Sequence, residues 1–334
     1  MSVRELTSVM LDEILEADIV PAIFPEKTSG QPTLAIITGV PGAGAARCTA
    51  QVLARTPAST VVLSTELLAG FHPDFLVASS PSDLSVVREA AVAWSAALIR
   101  RARQDRRSLI IEGDGLSAPA VTGTASLFAR EGYRTHIVIV AGVRAQTLLA
   151  LVSAYARELR DNGVGTPVDV AGHDAARANV HSIVEQTTLA ETIDRLSILD
   201  HRGVAVFDPS GEDRADARGA ATRQLLAAES ARLTPLESAE WMSELRRITE
   251  FEMSSTRSHP LLVDCLIELH EVALNEIVPR LTVPRGSAMV SRQELEYGSR
   301  LVQLRERRSA RAAPVDLAAP VVTPASVEGD GIGR

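Results

Sequence analysis

The stretch that decides the fold runs from residue 39 to residue 46 and reads Gly-Val-Pro-Gly-Ala-Gly-Ala-Ala. An apolar run, Leu34-Ala35-Ile36-Ile37, precedes it and predicts a buried strand. The glycine spacing fits the phosphate-binding pattern G-x-x-x-x-G-K-[ST], which lies between a strand and a helix. Ala45 and Ala46 occupy the two positions where that pattern has a lysine and a hydroxyl. The sequence therefore predicts a backbone cradle for phosphate without its usual side chains.

Composition restricts the class of protein. With 334 residues, of which 46% are hydrophobic, the chain can bury one large core and a smaller unit. No apolar run approaches the roughly 18 to 20 residues that span a bilayer. The acidic N-terminal segment lacks a signal-peptide pattern, so we expect a cytoplasmic protein without membrane contact. A net charge of −8 argues against nucleic-acid partners, whose binding rests on neutralising phosphates.

Lysine and cysteine are both scarce. Lys27 is the only lysine, and it precedes the first strand by several residues. No other lysine can replace the missing loop side chain. Compositional drift toward Ala and Arg explains a lysine-poor surface, but explains poorly the loss of a lysine with a chemical task. Cys48 and Cys265 are too few and too distant in sequence to indicate a disulfide framework.

Strand and helix patterns alternate along the first two thirds of the chain. Apolar runs at 60–63, 109–111 and 136–140 predict three further strands. After the loop, a helix is predicted to continue through 48–53, and a long helix is predicted with its cap on Ser82 or Asp83. Two more helices are predicted over about 120–130 and about 145–160. A last strand is predicted at 204–207, and helices beyond about 215. This order predicts an α/β fold, a parallel sheet with helices on both faces, plus a C-terminal helical extension.

Several segments follow the loop in a characteristic order. They are Ser64-Thr65-Glu66, Phe71-His72-Pro73-Asp74-Phe75, Ile111-Glu112-Gly113 and His173-Asp174. Together with the loop, this order resembles the zeta toxin family of P-loop kinases, which phosphorylate UDP-N-acetylglucosamine. The resemblance covers about residues 15–210. It implies a P-loop kinase fold, ATP and Mg²⁺ as cofactors, a nucleotide and a UDP-sugar as ligands, and an antitoxin-like helical protein as a partner.

The resemblance also suggests domain boundaries and a nucleotide site. We expect an N-terminal helix and linker at 1–31, a zeta-toxin-like P-loop kinase domain at 32–212, a helical extension at 213–304 and a disordered tail at 305–334. The implied nucleotide-binding residues are Gly39, Val40, Pro41, Gly42, Ala43, Gly44, Ala45 and Ala46.

Glu66 is the candidate general base. In the family, the second carboxylate of an Asp-x-Asp segment after the second strand activates the sugar hydroxyl. Here Ser64 and Glu66 stand at those positions. The extra methylene of Glu66 moves its carboxylate by about 1.5 Å, and a base must lie within ~2.6–3.2 Å of the proton it takes. The alternative is an ordinary acidic residue at the end of a strand.

Glu112, Asp114 and His72 are the candidate substrate-binding residues. Glu112 follows the third predicted strand, at the sheet edge where ligands of such folds bind. In the family, a matching glutamate and a nearby hydroxyl hold the UDP-sugar, and Asp114 stands at the hydroxyl position. A second negative charge there repels a diphosphate, so Asp114 alternatively caps the next turn. His72 alternatively has a structural role.

Arg157 is the candidate for the missing positive charge. The family uses two arginines on the transferred phosphoryl group, but this chain has Ala154-Tyr155 and Thr166-Pro167 at the matching places. Arg157 lies about one helical turn from Ala154 and faces a similar direction. The alternative is a solvated ion pair. No metal site is predicted, because His72 and His173 lack further ligands at suitable spacing.

Three functions remain open from the sequence. The first is a residual or repurposed small-molecule kinase with Glu66 as base and Glu112 in the substrate pocket. The second is a non-catalytic pseudokinase that binds a partner protein or senses a nucleotide sugar. In the third, the helical region after residue 215 does the work and the P-loop domain is a scaffold.

Overall fold

A six-stranded sheet forms the centre of the molecule, with strand order β2-β3-β1-β4-β5-β6. The computed structural model describes residues 3–24, 30–57, 59–209, 214–281 and 287–312, with backbone only for 214–218 and 311–312. Lys27 and residues 313–334 of the predicted tail lie outside the described residues. The strands are β1 Thr33–Gly39, β2 Val61–Ser64, β3 Leu109–Glu112, β4 Arg134–Val140, β5 Arg195–Leu199 and β6 Ala205–Phe207.

The first five strands are parallel, and β6 runs antiparallel to β5. β1 lies in the middle and pairs with both β3 and β4, Ile37 being opposite Glu112 and Val138. Six of its seven residues are buried, as expected when a parallel strand is covered on both faces. The α/β prediction is confirmed.

Twelve α-helices are assigned in the described chain. They are α1 Ser8–Ile14, α2 Val20–Ile23, α3 Ala45–Leu53, α4 Thr65–Ala69, α5 Pro81–Gln104, α6 Ala118–Arg130, α7 Arg144–Asn162, α8 Val170–Leu189, α9 Arg214–Glu229, α10 Pro235–Ser254, α11 Pro260–Val272 and α12 Ala288–Ala312. A π-helical turn, Leu15–Ile19, joins α1 to α2. Among the described helices, none combines the length and apolarity needed to cross a membrane.

The two faces of the sheet are covered unequally. On one face, α5, α6, α8 and α9 pack their apolar side chains, including Trp94 and Phe128, into the main core. On the other face, a smaller core gathers Ala35, Ile37 and Val138 with Cys48 of α3. A cavity lies on this second face.

The helical extension has its own core but shares α7 with the sheet domain. Leu148, Val152 and Tyr155 of α7 pack with apolar residues of α10, α11 and α12. The Trp241 indole N–H of α10 donates to the carbonyl oxygen of Ala145 at 2.8 Å. The predicted extension is therefore confirmed, and it is attached to the sheet domain through α7.

Several predicted elements need correction. The predicted last strand at 204–207 corresponds to β6, and β5 before it was not predicted. Helix α8 was not predicted either. Helix α5 is capped by Ser80, whose hydroxyl accepts from the Asp83 N–H at 3.1 Å, and not by Ser82 or Asp83. Helix α12 continues to Ala312, so the tail predicted from residue 305 begins inside a helix.

Candidate functional site

The glycine loop connects β1 to α3 at the carboxyl edge of the sheet. Gly42 and Gly44 have φ angles of 88° and 91°, a left-handed conformation that glycine adopts without steric penalty. Gly44 is the N-cap of α3 and provides no side-chain cap. The first N–H groups of a helix have no intrahelical partner, so the amides at Ala45 and Ala46 remain suited to an anion.

Helix α7 backs this loop closely. A Cβ at Gly42 would overlap with the carbonyl oxygen of Thr147 and lie 3.1 Å from the Leu151 nitrogen. The Thr147 hydroxyl is in turn 2.9 Å from Nε2 of the buried His173. Glycine at position 42 is therefore required by packing as well as by its backbone conformation.

The chain after β3 is fastened to the same loop. The Gly113 N–H donates to the Ile37 carbonyl at 3.1 Å, and the Gly115 N–H donates to the Gly39 carbonyl at 3.1 Å. These bonds place Asp114 directly beside the loop, where the Gly42 amide favours the charged form of its carboxyl. Asp114 is exposed to water, while nearby protein atoms partly desolvate its carboxyl.

Three carboxylates meet beside the loop. Desolvation, together with the charges of Glu66 and Glu112, raises the pKa of the Asp114 carboxyl to about 7, and the Gly42 amide opposes the rise. This electrostatic environment is negative where the family resemblance places a diphosphate. Asp114 is not the cap of α6, because the Ser117 hydroxyl accepts from the Ala120 N–H there.

The donor set fits Mg²⁺ and ATP poorly. The backbone cradle fits an anion, but Ala45 and Ala46 give neither a cation nor a hydroxyl, and the side chains facing the loop include carboxylates. Within the described ranges, no group of three His, Cys, Asp or Glu side chains is arranged to hold a metal ion.

Glu66 lies in the first turn of α4 and is exposed. The Ser64 hydroxyl donates to its Oε2 at 3.3 Å. An acidic residue in a first turn stabilises the helix dipole, so this placement supports a structural role. Its effect on the pKa of Asp114 also places it at the cleft, so its predicted role as a base remains compatible with the geometry.

Arg157 lies on α7 ten residues after Thr147, roughly 15 Å farther along the helix axis. It is exposed, and its Nε donates to the carbonyl of Ser153 at 3.4 Å. Hydrogen bonds from Arg247 and Arg160 are the main causes of the lowered pKa of Glu244 and of Asp161, respectively, and the charge of Arg157 contributes least to each. This exposed position, far from the loop along α7, favours a solvated role over a catalytic one.

The two histidines of the family pattern are buried. His72 accepts from the Asp74 N–H at 3.1 Å through Nδ1, and burial lowers its pKa. His173 joins α8 to Thr147 of α7, while the adjacent Asp174 receives two hydrogen bonds of 2.8 Å from Arg144. Both positions support structural roles, and substrate binding by His72 stays a prediction.

The turn after β5 also borders the loop, which the sequence did not indicate. A Cβ at Gly44 would lie 3.5 Å from the His201 carbonyl, and the Gln51 amide of α3 donates to the Arg202 carbonyl at 3.1 Å. Because the sequence did not predict β5, it also did not predict that the turn after β5 borders the glycine loop. The run Leu196-Ser197-Ile198-Leu199 was the available signal.

The parallel sheet and the glycine loop at its carboxyl edge define a fold of the P-loop kinase class. The family model described as Zeta toxin matches residues 20–212, which is more than half of the chain. The chain therefore belongs to the zeta toxin family, and the predicted resemblance is confirmed.

Known proteins agree with this assignment. Toxin zeta of Enterococcus hirae is 20% identical over 213 residues, covering 62% of this chain and 74% of that protein. Toxin zeta of Streptococcus pyogenes is 20% identical over 212 residues, covering 62% and 73%. A solved structure from the PezAT chromosomal toxin-antitoxin system of Streptococcus pneumoniae shares the fold, with a TM-score of 0.61 and 15% identity, over 76% of this chain and 100% of that one.

Proposed function

We propose that this chain derives from ATP-dependent kinases of UDP-N-acetylglucosamine, or of a related small molecule, and that its own phosphoryl transfer is strongly impaired. The supporting observation is the loop itself. Its backbone is shaped for phosphate, yet Ala45 and Ala46 have no polar side chain and the Asp114 carboxylate adjoins Gly42. Phosphoryl transfer depends mainly on positioning and on stabilising negative charge.

The expected loss of rate is large. Removing one preorganised stabilising group costs on the order of 10²–10³ in rate. The chain lacks the loop lysine, the loop hydroxyl and the arginine expected at position 154. Taken as independent, three such losses reduce the rate by roughly 10⁶–10⁹, and coupling between the groups makes the true loss smaller. Binding of an anion by the backbone amides is less affected.

The remaining polar groups still suit a sugar hydroxyl. In this proposal Glu112 accepts hydrogen bonds from the UDP-sugar, and Glu66 accepts the proton from the reacting hydroxyl. The neighbouring Asp114 carboxylate repels an anionic ligand. A substrate with fewer negative charges than a nucleoside diphosphate is therefore favoured.

The direct test is incubation with ATP, Mg²⁺ and UDP-N-acetylglucosamine, with mass spectrometry of the sugar. We expect no phosphorylated sugar from the wild type. Sustained multiple turnover by the wild type would overturn the proposal.

A restored variant tests the cause. Ala45→Lys, Ala46→Ser and Asp114→Ser together return a cation and a hydroxyl and remove the carboxylate. We expect product only in this triple variant. Ala50→Lys, which adds the same charge at an exposed position of α3, is the matched control and should stay inactive. An inactive triple variant that binds both ligands by calorimetry would show that other parts of the cleft have also diverged.

A second candidate function, binding of an antitoxin-like protein, is favoured by exposed apolar side chains after β2. Leu67, Phe75, Leu76 and Val77 expose 51%, 39%, 92% and 53% of their surface. Clustered exposure of this kind marks interaction surfaces. The test is gel filtration with an antitoxin of the PezAT type. Leu76→Asp should abolish co-elution, while Leu226→Asp, at an exposed position of α9, should not.

A further inference from the structure

A cavity of about 270 Å³ lies on the less covered face of the sheet, near the amino ends of the strands. It is bounded by α3 on one side and by β4, β5 and β6 on the other. Ala35, Val138 and Leu199 contribute apolar lining. The glycine loop is at the opposite, carboxyl edge of the sheet and does not line this cavity, although Gln51 and Gly203 of the cavity lie next to the turn that borders the loop.

A polar relay crosses the lining of this cavity. The Ser197 hydroxyl donates to Oδ1 of Asp208 at 2.9 Å, and Nε2 of His136 lies 2.8 Å from the Ser197 oxygen. Arg195 donates through Nε to the same carboxylate at 2.9 Å, and its hydrogen bond is the main cause of the lowered pKa of Asp208. Asp208 is thus a fixed anionic end of the relay.

The relay decides the tautomer of His136. Because the Ser197 proton goes to Asp208, the Ser197 oxygen accepts from His136, so Nε2 carries the proton. Burial, followed by the charge of Arg195, lowers the pKa of His136 to about 4, so the ring is neutral near pH 7. Its Nδ1 is therefore an acceptor, and it has no hydrogen-bond partner among the described residues.

Two arginines at the cavity have no carboxylate partner in the described part of the chain. Arg55, just after α3, and Arg134, at the start of β4, are both exposed. The Asp194 carboxylate at the cavity is engaged by the Thr135 N–H at 2.7 Å. The lining carries the guanidinium groups of Arg55, Arg134 and Arg195 against the carboxylates of Asp194 and Asp208, so its formal charge is positive by one.

The positions of Arg134 and His136 along β4 relate the positive charge at the cavity to the free Nδ1 acceptor. Arg134 and His136 are two residues apart, so they share one face of the sheet and their Cα atoms are separated by about 7 Å. A ligand must therefore present an anion and a hydrogen-bond donor at the two ends of a short body. Arginine pairs favour phosphate, which they bind through several N–H groups.

We propose that this cavity binds a small organic phosphate of the mononucleotide class. Its phosphate lies between Arg55 and Arg134, its flat body rests on Leu199, and an N–H or O–H group donates to Nδ1 of His136. This site is independent of the proposed kinase-derived cleft.

The test uses calorimetry with three probes: adenosine 5′-monophosphate, adenosine and inorganic phosphate. We expect the monophosphate to bind at least tenfold more tightly than either fragment. Arg55→Gln with Arg134→Gln should weaken monophosphate binding at least tenfold, the effect of losing one charge-assisted hydrogen bond. Arg88→Gln, at an exposed position of α5, is the matched control and should bind as the wild type does.

Two further measurements separate this site from the glycine loop. Ala46→Asp places a negative charge at the loop and should leave monophosphate binding unchanged if the cavity is the site. In ¹⁵N-histidine spectra of the wild type, addition of the monophosphate should shift the His136 Nδ1 resonance, because this unprotonated nitrogen then accepts a hydrogen bond. Absence of binding at millimolar concentration, loss of binding in Ala46→Asp, or an unmoved Nδ1 resonance would overturn the proposal.

Discussion

The Asp114 carboxyl lies beside the Gly42 amide, which favours its charged form, at the turn of the loop where a phosphate oxygen is expected. An anion of the chain itself thus adjoins the anion cradle. Because desolvation and two neighbouring carboxylates raise the pKa of Asp114 to about 7, its charge changes over the neutral range.

We predict that the loop binds sulfate more tightly at pH 6 than at pH 8. Asp114 is mostly protonated at the lower pH and no longer repels the anion. Sulfate keeps its charge over this range, so the change reports on the protein. If bound sulfate raises the pKa of Asp114 by one unit, the affinity for sulfate changes by up to about tenfold between these pH values. Calorimetry measures the sulfate affinity at each pH. Asp114→Asn is the control, and its sulfate affinity should not differ between pH 6 and pH 8.

The same carboxyl influences stability with a definite sign. The pKa of Asp114 is higher in the folded state than in the unfolded state. Its contribution to the free energy of unfolding is therefore most favourable below the unfolded-state pKa, and it is lost as the pH rises toward 7. We predict that Asp114→Asn unfolds at a higher temperature than the wild type at pH 8, and that this difference shrinks at pH 5. Thermal unfolding by circular dichroism at both pH values is sufficient. An equal difference at both pH values would show that the ionised carboxylate is not destabilising.

Gly42→Ala should strongly destabilise the protein. The new methyl group would meet the Thr147 carbonyl, and φ of 88° is unfavourable for alanine. We expect a loss of roughly 2–4 kcal/mol from strain and overpacking together. Gly163→Ala is the matched control, because Gly163 has φ of 72° but no atom within 4 Å of the position that a methyl group would take. Urea denaturation should show a loss of only about 1–2 kcal/mol there.

Both cysteines should be inert in the folded protein. Burial raises the pKa of Cys48 to about 11 and that of Cys265 to about 12. At pH 8 the thiolate fraction of Cys48 is therefore roughly one in a thousand, and the thiolate is the reactive form. We expect iodoacetamide labelling only after denaturation, as measured by intact mass. Rapid labelling of the native protein would contradict the burial of these side chains.

Trp241 should hold the extension to the sheet domain. Trp241→Phe removes the indole N–H that donates to Ala145 while keeping an aromatic ring, so we expect a loss of about 1 kcal/mol. Trp241→Ala also leaves a cavity in the second core, and a loss of about 3–5 kcal/mol is expected. Chemical denaturation compares the two. Equal losses would contradict this division between the hydrogen bond and the packing of the ring.

Much of the fold was predictable because its signals are local. The glycine loop after Leu34-Ala35-Ile36-Ile37 and the alternation of apolar runs with helices specify a parallel sheet. Strand β5 was missed because its five residues include Arg195 and Ser197, whose polar side chains line a cavity instead of a core. Helix α8 was missed because its apolar positions are diluted by alanine, glycine and polar residues.

The candidate site was predictable only where sequence neighbours stay neighbours in space. Glu112 ends β3 and Asp114 comes two residues later, so their place at the sheet edge followed from topology. The contact of Asp114 with Gly42 depends on hydrogen bonds between two separate loops and has no sequence signal. Likewise, the nearness of Arg157 to Glu244 depends on how α10 packs, which a pattern on α7 alone does not determine.

Helix α7 belongs to two cores at once: its first turns press on Gly42, and Leu148, Val152 and Tyr155 are buried by the extension. A recombinant fragment ending near residue 212, where the family match stops, would leave that apolar stripe facing water. We expect such a truncation to fold poorly, and its insolubility would then say nothing about catalysis. Protein produced for biochemistry must retain the helices through residue 312.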